Sequence, residues 1–267
     1  DVYHKQEFLN KNPILKSLIL DSPNFLEECK GVVPKNKIWA HISGTDLIKD
    51  HTGKFYVLED NLRVPSGVAY MLENRNVMKK VVTELFNNYK VSPVDDYTSQ
   101  LYKCLSDASY SKDKKKTIVI LSPGVFNSAY FEHAYLAQQM GIDLVESSDL
   151  SLSDDNYVYM KTILGKKKID VIYRRINDDY LDPNVWIKDS TLGLPGLINS
   201  WKEKKVAIVN APGSGVADDK AVYAFVPKMI DFYLNETPKL AQVKTYLCAF
   251  DKDKKYVLDN IKKLVLK

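Results

Sequence analysis

Beyond residue 116 the chain alternates between short apolar runs and longer stretches in which apolar residues recur every three or four positions. TIVILS (117–122), IDLVE (142–146), YVYMK (157–161), KIDVIYRRI (168–176) and KVAIVN (205–210) have the length and side chains of strands. AYFEHAYLAQQMG (129–141), closed by Gly141, and PGLINSWKE (195–203) have the helical period. Strands alternating with helices predict an α/β domain from about 116 to 212. TIVIL and VAIVN, apolar throughout, suit a sheet covered on both faces. Further on, AVYAFVPKMIDFYL (221–234) predicts a helix bent at Pro227, KKYVLDNIKK (254–263) a last helix and LVLK (264–267) a last strand.

The chain before residue 116 reads differently. ILKSLIL (14–20) is the apolar core of a short helix in an otherwise helical or irregular stretch. KIWAHISGTDLIK (37–49) and KFYVLED (54–60), joined at Asp50-His51-Thr52-Gly53, predict a β-hairpin. Helices are expected over 74–88 and 96–107. The polar segment Tyr110–Lys116 is the expected boundary, and the chain divides into segments 1–110, 111–235 and 236–267.

On that hairpin, alternation puts Val57, Glu59 and Asn61 on one face and Asp60 on the other. With residues 50–53 as the turn, Lys49 pairs with Lys54 and Asp46 with Val57, leaving Asp46 diagonally across from Glu59. This face then carries Ile48, Phe55 and Val57 near the turn and Asp46, Glu59 and Asn61 farther along. Two carboxylates and an amide oxygen are hard ligands that suit Mg²⁺, completed by waters and substrate phosphates. Arg63, just beyond, offers a planar fork to a phosphate or carboxylate. The same residues also read as a strand ending in a solvated turn at Pro65-Ser66-Gly67.

Composition narrows the choice mainly by exclusion. With 267 residues, 45% hydrophobic, the chain can bury a sizeable core. A net charge of +4, from 38 basic and 34 acidic residues, gives no support to nucleic-acid binding. The lysine clusters at 114–116, 166–168 and 202–205 read as solvated turns. Three scattered cysteines argue against a disulfide framework or zinc site and fit a reducing cytoplasm. The four histidines lack metal-ligand spacing, no apolar run reaches membrane-spanning length, and no signal peptide opens the chain. The first residue is Asp1 rather than Met, so the natural N-terminus is expected to lie upstream.

The string HISGTDLIKDHTGKFYVLEDNLRVPSGVAYMLENR (41–75) resembles the circularly permuted ATP-grasp (type 2) proteins related to glutathionylspermidine synthase, a bacterial group, and the resemblance runs from about residue 23 to the end. Ordinary ATP-grasp enzymes place an Asp-Lys pair first, then a strand lysine, a Gly-rich loop and the metal ligands. Here the metal motif comes first, Asp219-Lys220 follows, and Lys267 ends the chain after LVL, the order of the permuted group. The resemblance implies an ATP-grasp-like metal-binding hairpin region, a Rossmann-like pre-ATP-grasp α/β domain and the start of an ATP-binding lobe. It implies a cytoplasmic ATP- and Mg²⁺-dependent ligase that joins a small-molecule or peptide carboxylate to an amine or thiol through an acyl phosphate. Asp46, Glu59 and Asn61 would hold metal, and Arg63 would stabilise the transferring phosphoryl group. Ser66 and Gly67 would shape the acceptor pocket with backbone N–H groups, and Lys220, Asp219 and Lys267 would hold nucleotide. The family's Gly-rich loop would follow Lys267, so the chain is expected to be a piece of a longer protein that alone binds ATP weakly and does not turn over.

Other motifs keep two readings each. Gly213-Ser214-Gly215 in NAPGSGVADDK presents N–H groups to an anion or is a connecting loop. Arg174 and Arg175, at a strand end, bind a substrate carboxylate or pair with Asp178 or Asp179. Asn127, Ser128 and Glu132 touch substrate, or Ser128 caps the next helix with Glu132 in its first turn. For the whole chain, a catalytically inactive scaffold of the same fold and a small-molecule kinase are the alternatives.

Overall fold

The structure, a computed structural model, describes residues 1–266. Among them the strands are β1 (Gly44–Lys49), β2 (Phe55–Asn61), β3 (Ile118–Leu121), β4 (Asp143–Val145), β5 (Leu150–Leu152), β6 (Val158–Thr162), β7 (Gly165–Lys168), β8 (Val171–Arg174), β9 (Ala207–Val209) and β10 (Ala241–Gln242). The fold is mixed α/β, as the alternation predicts. Contacts gather the chain into two interleaved units. One holds residues 1–32, 43–63 and those from Pro212 onward; the other holds 33–42 and 64–211. This differs from the linear segments 1–110, 111–235 and 236–267, because the hairpin takes its neighbours from both ends of the chain.

The second unit is built on a parallel sheet in the order β4-β3-β8-β9. Every residue of β3, β8 and β9 is buried, as apolar strands covered on both faces must be. The helix Tyr97–Ala108 presents Leu101, Leu105 and Ala108 to this sheet, a spacing of four and three residues that defines one helical face. Burying each leucine stabilises the unit by roughly 2 kcal/mol. The helix Tyr130–Met140 ends on Gly141 at φ 64°, a left-handed cap that a residue without Cβ adopts freely. YVYMK does not join the parallel sheet; it is the middle strand of a small antiparallel one, β5-β6-β7. Lys166–Lys168 form its exposed edge rather than a turn, which suits lysines because an edge strand is protected from pairing by charge.

The hairpin unit has a three-stranded sheet in which β10 runs parallel to β2. Phe8, Leu9, Leu15, Ile19 and Cys29 form its buried apolar centre, with Tyr3 stacked on Phe25 at 5.2 Å. Several expected elements change. The stretch 37–43 is not strand, and the helix expected over 74–88 is two, Val68–Val81 and Thr83–Asn88. Pro227 does not bend a helix: it sits in the first turn of a separate one, Val226–Leu234, where its missing N–H costs nothing. Residues 264–266 form no strand, and Lys267 lies outside the described residues.

Candidate functional site

In the hairpin, Lys49 pairs with Phe55 rather than Lys54, and one extra residue in β2, Leu58, then shifts the register. Asp46 therefore lies directly opposite Glu59, and Gly44 opposite Asn61. β1 alternates without interruption, so Gly44, Asp46 and Ile48 share a face with Asn61, Glu59 and Tyr56. Phe55 and Val57, expected on this face, are carried to the other by the bulge. Asp46 is exposed and Glu59 and Asn61 are half-buried. Asn61 donates from Nδ2 to the Gly44 carbonyl at 3.2 Å, which leaves its Oδ1 as the end available to a cation. Asp60, on the opposite face, instead accepts from the Thr45 hydroxyl at 2.7 Å.

Lys220 reaches this strand from the short helix Lys220–Tyr223. Its Nζ lies 3.8 Å from Glu59 Oε2, donates to the carbonyl of the bulged Leu58, and sits 3.9 Å above the Tyr223 ring. Asp219 is the N-cap of that helix, accepting from the Ala221 N–H at 2.8 Å, so its carboxylate works on the backbone. Among the described residues no three His, Cys, Asp or Glu side chains gather as a metal cage. Two facing carboxylates and one amide oxygen are nonetheless the donor set that fits Mg²⁺, which takes one or two carboxylates and fills its remaining positions with waters and phosphate oxygens.

The chain leaving β2 is held by a partner that sequence reasoning missed. Asp218 accepts from the N–H groups of Leu62 and Arg63 at 2.6 and 3.1 Å and lies 3.8 Å from the Arg63 Nε. Asn24 takes Arg63 Nη2 at 2.7 Å, and Ser214 donates to the Leu62 carbonyl at 3.0 Å. The Gly-rich turn thus packs on the hairpin end. A Cβ on Gly215 would stand 2.4 Å from the Arg63 Nε. Gly215→Ala should therefore displace the Arg63 guanidinium and destabilise the protein by about 1–3 kcal/mol, the usual cost of overpacking. A thermal melt matching the parent's would contradict the placement.

In the second unit Arg174 and Arg175 are buried and committed inward. Arg174 pairs with Asp178 at 3.1 Å and donates to the carbonyls of Ile176, Asn210 and Ala211. Arg175 pairs with Glu132 at 2.8 Å and donates to the Pro65 carbonyl at 2.7 Å and the Tyr173 hydroxyl at 3.1 Å. Arg174 thus makes the ion pair with Asp178 that was one of the two sequence readings, whereas Arg175 pairs with Glu132 rather than with Asp178 or Asp179; burial dictates that both charges be neutralised internally. Glu132 does lie in the first turn of the helix Tyr130–Met140, but it is fully buried there, its Oε2 accepting from the N–H of Gly67 (2.7 Å) and Ala69 (3.1 Å). The Gly67 N–H, expected to face an acceptor pocket, is thereby taken. Ser128 does not cap the helix; Asn127, exposed, turns the chain by accepting from the Ala129 N–H at 2.9 Å. Ser66 is also exposed.

Next to Glu132, His133 is buried with its Nδ1 2.9 Å from the Ser122 hydroxyl. Burial, with help from the Arg175 charge, pushes its pKa from 6.5 down to about 4. Between these values the unfolded chain binds a proton that the folded one does not, so stability falls as pH drops from about 6.5 to about 4. His133→Asn, which can keep the Ser122 contact, should flatten this part of the profile. Melts across that range would decide, and parallel curves for the two proteins would contradict the assignment. Glu132 and His133 were legible in principle: each lies four residues before an apolar core residue of the same helix, Leu136 and Ala137.

A family model described as circularly permuted ATP-grasp type 2 matches residues 1–267. An uncharacterised protein of Synechocystis sp. is 48% identical over all of this chain and 55% of its own length. An uncharacterised protein of Mycobacterium tuberculosis is also 48% identical, with 48% of its length covered. A protein of Frankia casuarinae named putative glutamate–cysteine ligase 2-2 is 36% identical over this whole chain and 31% of its own. The chain spans about half the length of the first two. The match of the family model to residues 1–267 leads to one conclusion: the chain belongs to the circularly permuted ATP-grasp type 2 family.

Proposed function

We propose that this protein is an ATP- and Mg²⁺-dependent ligase that joins a carboxylate to an amine. The observation that carries the reading is Asp46 directly opposite Glu59, with the Asn61 amide on the same face and Lys220 beside them, in a chain of this family. The printed name of the Frankia relative, a putative glutamate–cysteine ligase, supports coupling of this chemical class. Asp46, Glu59 and the Asn61 oxygen would hold Mg²⁺, which neutralises charge on phosphate oxygens when bound.

The chain's own residues account for the rest of the reading. Lys220 braces Glu59 and adds a positive charge at the phosphates. Arg63, its fork fixed by Asn24 and Asp218, faces developing phosphoryl charge without losing rotamer freedom during the reaction. Lys267 contacts nucleotide, and exposed Asn127 contacts the non-nucleotide substrate. A carboxylate oxygen would attack the γ-phosphorus of ATP, releasing ADP and giving an acyl phosphate; the amine would then attack the acyl carbon, inorganic phosphate would leave, and the amine's proton would pass to solvent. This predicts that one ¹⁸O from a labelled carboxylate appears in the released phosphate whenever amide forms. Amide formation with unlabelled phosphate would overturn the mechanism.

A further inference from the structure

The order β4-β3-β8-β9 contains a point where the chain changes direction. From β3 it moves outward to β4, then returns to β8 on the other side of β3. In open parallel sheets ligands bind beyond the carboxyl ends of the two strands flanking such a point. Here those ends are occupied by a buried ionic network. Arg175 directly follows β8 and its N–H continues the ladder to Leu121 of β3 at 2.8 Å. Glu132 comes from the helix after β3. Both side chains are 1% exposed.

What the pair grips is a loop. Glu132 takes the N–H groups of Gly67 and Ala69, and Arg175 takes the Pro65 carbonyl while bridging back to Glu132 and Tyr173. Three backbone groups on either side of Ser66 are thus fixed, and Ser66 itself remains exposed at the apex. Gly67 sits at φ 111°, where a side chain would be strained, so the turn needs both glycine and the clamp. A buried ion pair is a poor way to gain stability compared with apolar packing of equal volume. Its use here is explained by geometry: it fixes one loop at the carboxyl end of the sheet, the end at which open parallel sheets bind ligands.

We infer that Glu132 and Arg175 are positioning residues for the non-nucleotide substrate, acting through the Pro65-Ser66-Gly67 loop. The inference rests on the ligase reading for the identity of that substrate, but the clamp itself does not. Glu132→Gln keeps the shape, yet it sets an amide NH₂ against either a backbone N–H or the guanidinium. Arg175→Lys removes the fork that bridges three acceptors.

The test measures both variants on the natural protein, after circular-dichroism melts confirm that each is folded. KM for the acid or amine should rise about tenfold or more, a loss of at least one factor-of-ten step in binding, while KM for ATP stays within twofold. Unchanged KM for both substrates, or an equal rise in both, overturns the inference. Hydrogen exchange on the parent chain gives a readout independent of turnover and of whether the variants fold. The Gly67 and Ala69 amides should exchange only with opening of the unit. Exchange as fast as at the exposed loop residue Phe126 overturns the clamp. If the parent turns over no ATP, the ligase reading fails, and exchange alone decides whether the clamp stands.

Discussion

Glu132→Ala should lower the midpoint of thermal unfolding by on the order of 10 °C, the largest stability effect we expect of a single substitution. Glu132 and Arg175 have side chains 1% exposed and lie 2.8 Å apart. Removing the carboxylate strands the guanidinium in a medium where an unpaired charge is costly, typically about 3–5 kcal/mol. It also leaves the Gly67 and Ala69 N–H groups without their acceptor. For proteins of this size each kcal/mol moves the midpoint by roughly 2–4 °C. Surface pairs provide the contrast: Lys79→Ala, which breaks the exposed 3.1 Å pair with Asp95, should cost about 0–1 kcal/mol. A Glu132→Ala shift of less than 2 °C, measured by calorimetry, would mean that the pair is solvated and the network is not as described.

Glu59→Ala should show the reverse profile, with a large loss of activity and little loss of stability. Glu59 is half-buried and its ion pair with Lys220 spans 3.8 Å, so the pair contributes about 1 kcal/mol at most to folding. A ligand to Mg²⁺ at a transferring phosphoryl group is worth several kcal/mol in the transition state. At about 1.4 kcal/mol per tenfold, the Mg²⁺-dependent turnover of ATP should fall by roughly a thousandfold. The same change strips Lys220 of its carboxylate neighbour. Thr45→Val, on the opposite face and bonded to Asp60 rather than to the ligand set, is the matching control and should retain turnover. Normal turnover by a folded Glu59→Ala protein would remove the hairpin from the chemistry.

These two residues also show what can be read from a sequence of this kind. The co-facial set of Asp46, Glu59 and Asn61 was legible, because a period of two and a turn at 50–53 leave few arrangements. Its exact register was not: the bulge at Leu58 has no local signature, and it places Asp46 straight across from Glu59 while turning Phe55 and Val57 away. The parallel sheet was legible because TIVIL and VAIVN are apolar at every position. The antiparallel β5-β6-β7 sheet was missed because its third strand is GKKK, which has no apolar alternation. The first-turn position of Glu132 was legible, but its burial was not, because the arginine it meets, Arg175, lies 43 residues away in sequence. For Arg175 a substrate carboxylate and an ion pair with Asp178 or Asp179 were both open, and Glu132 was not among the partners considered because no local pattern joins the two. Asp218 and Asn24, which fix Arg63, lie far from it in sequence, and no periodicity connects them.

The measurement that tests the central claim most directly is Mg²⁺-dependent phosphate release from ATP by the natural protein. It would be run with pools of carboxylic acids (amino acids and short peptides), with pools of amines including polyamines, and with both together. The ligase reading predicts release that requires Mg²⁺ and rises only when an acid and an amine are both present. Release at the same rate with one substrate alone would make the protein a kinase, and no release under any combination would leave the facing carboxylates of the hairpin without a catalytic role.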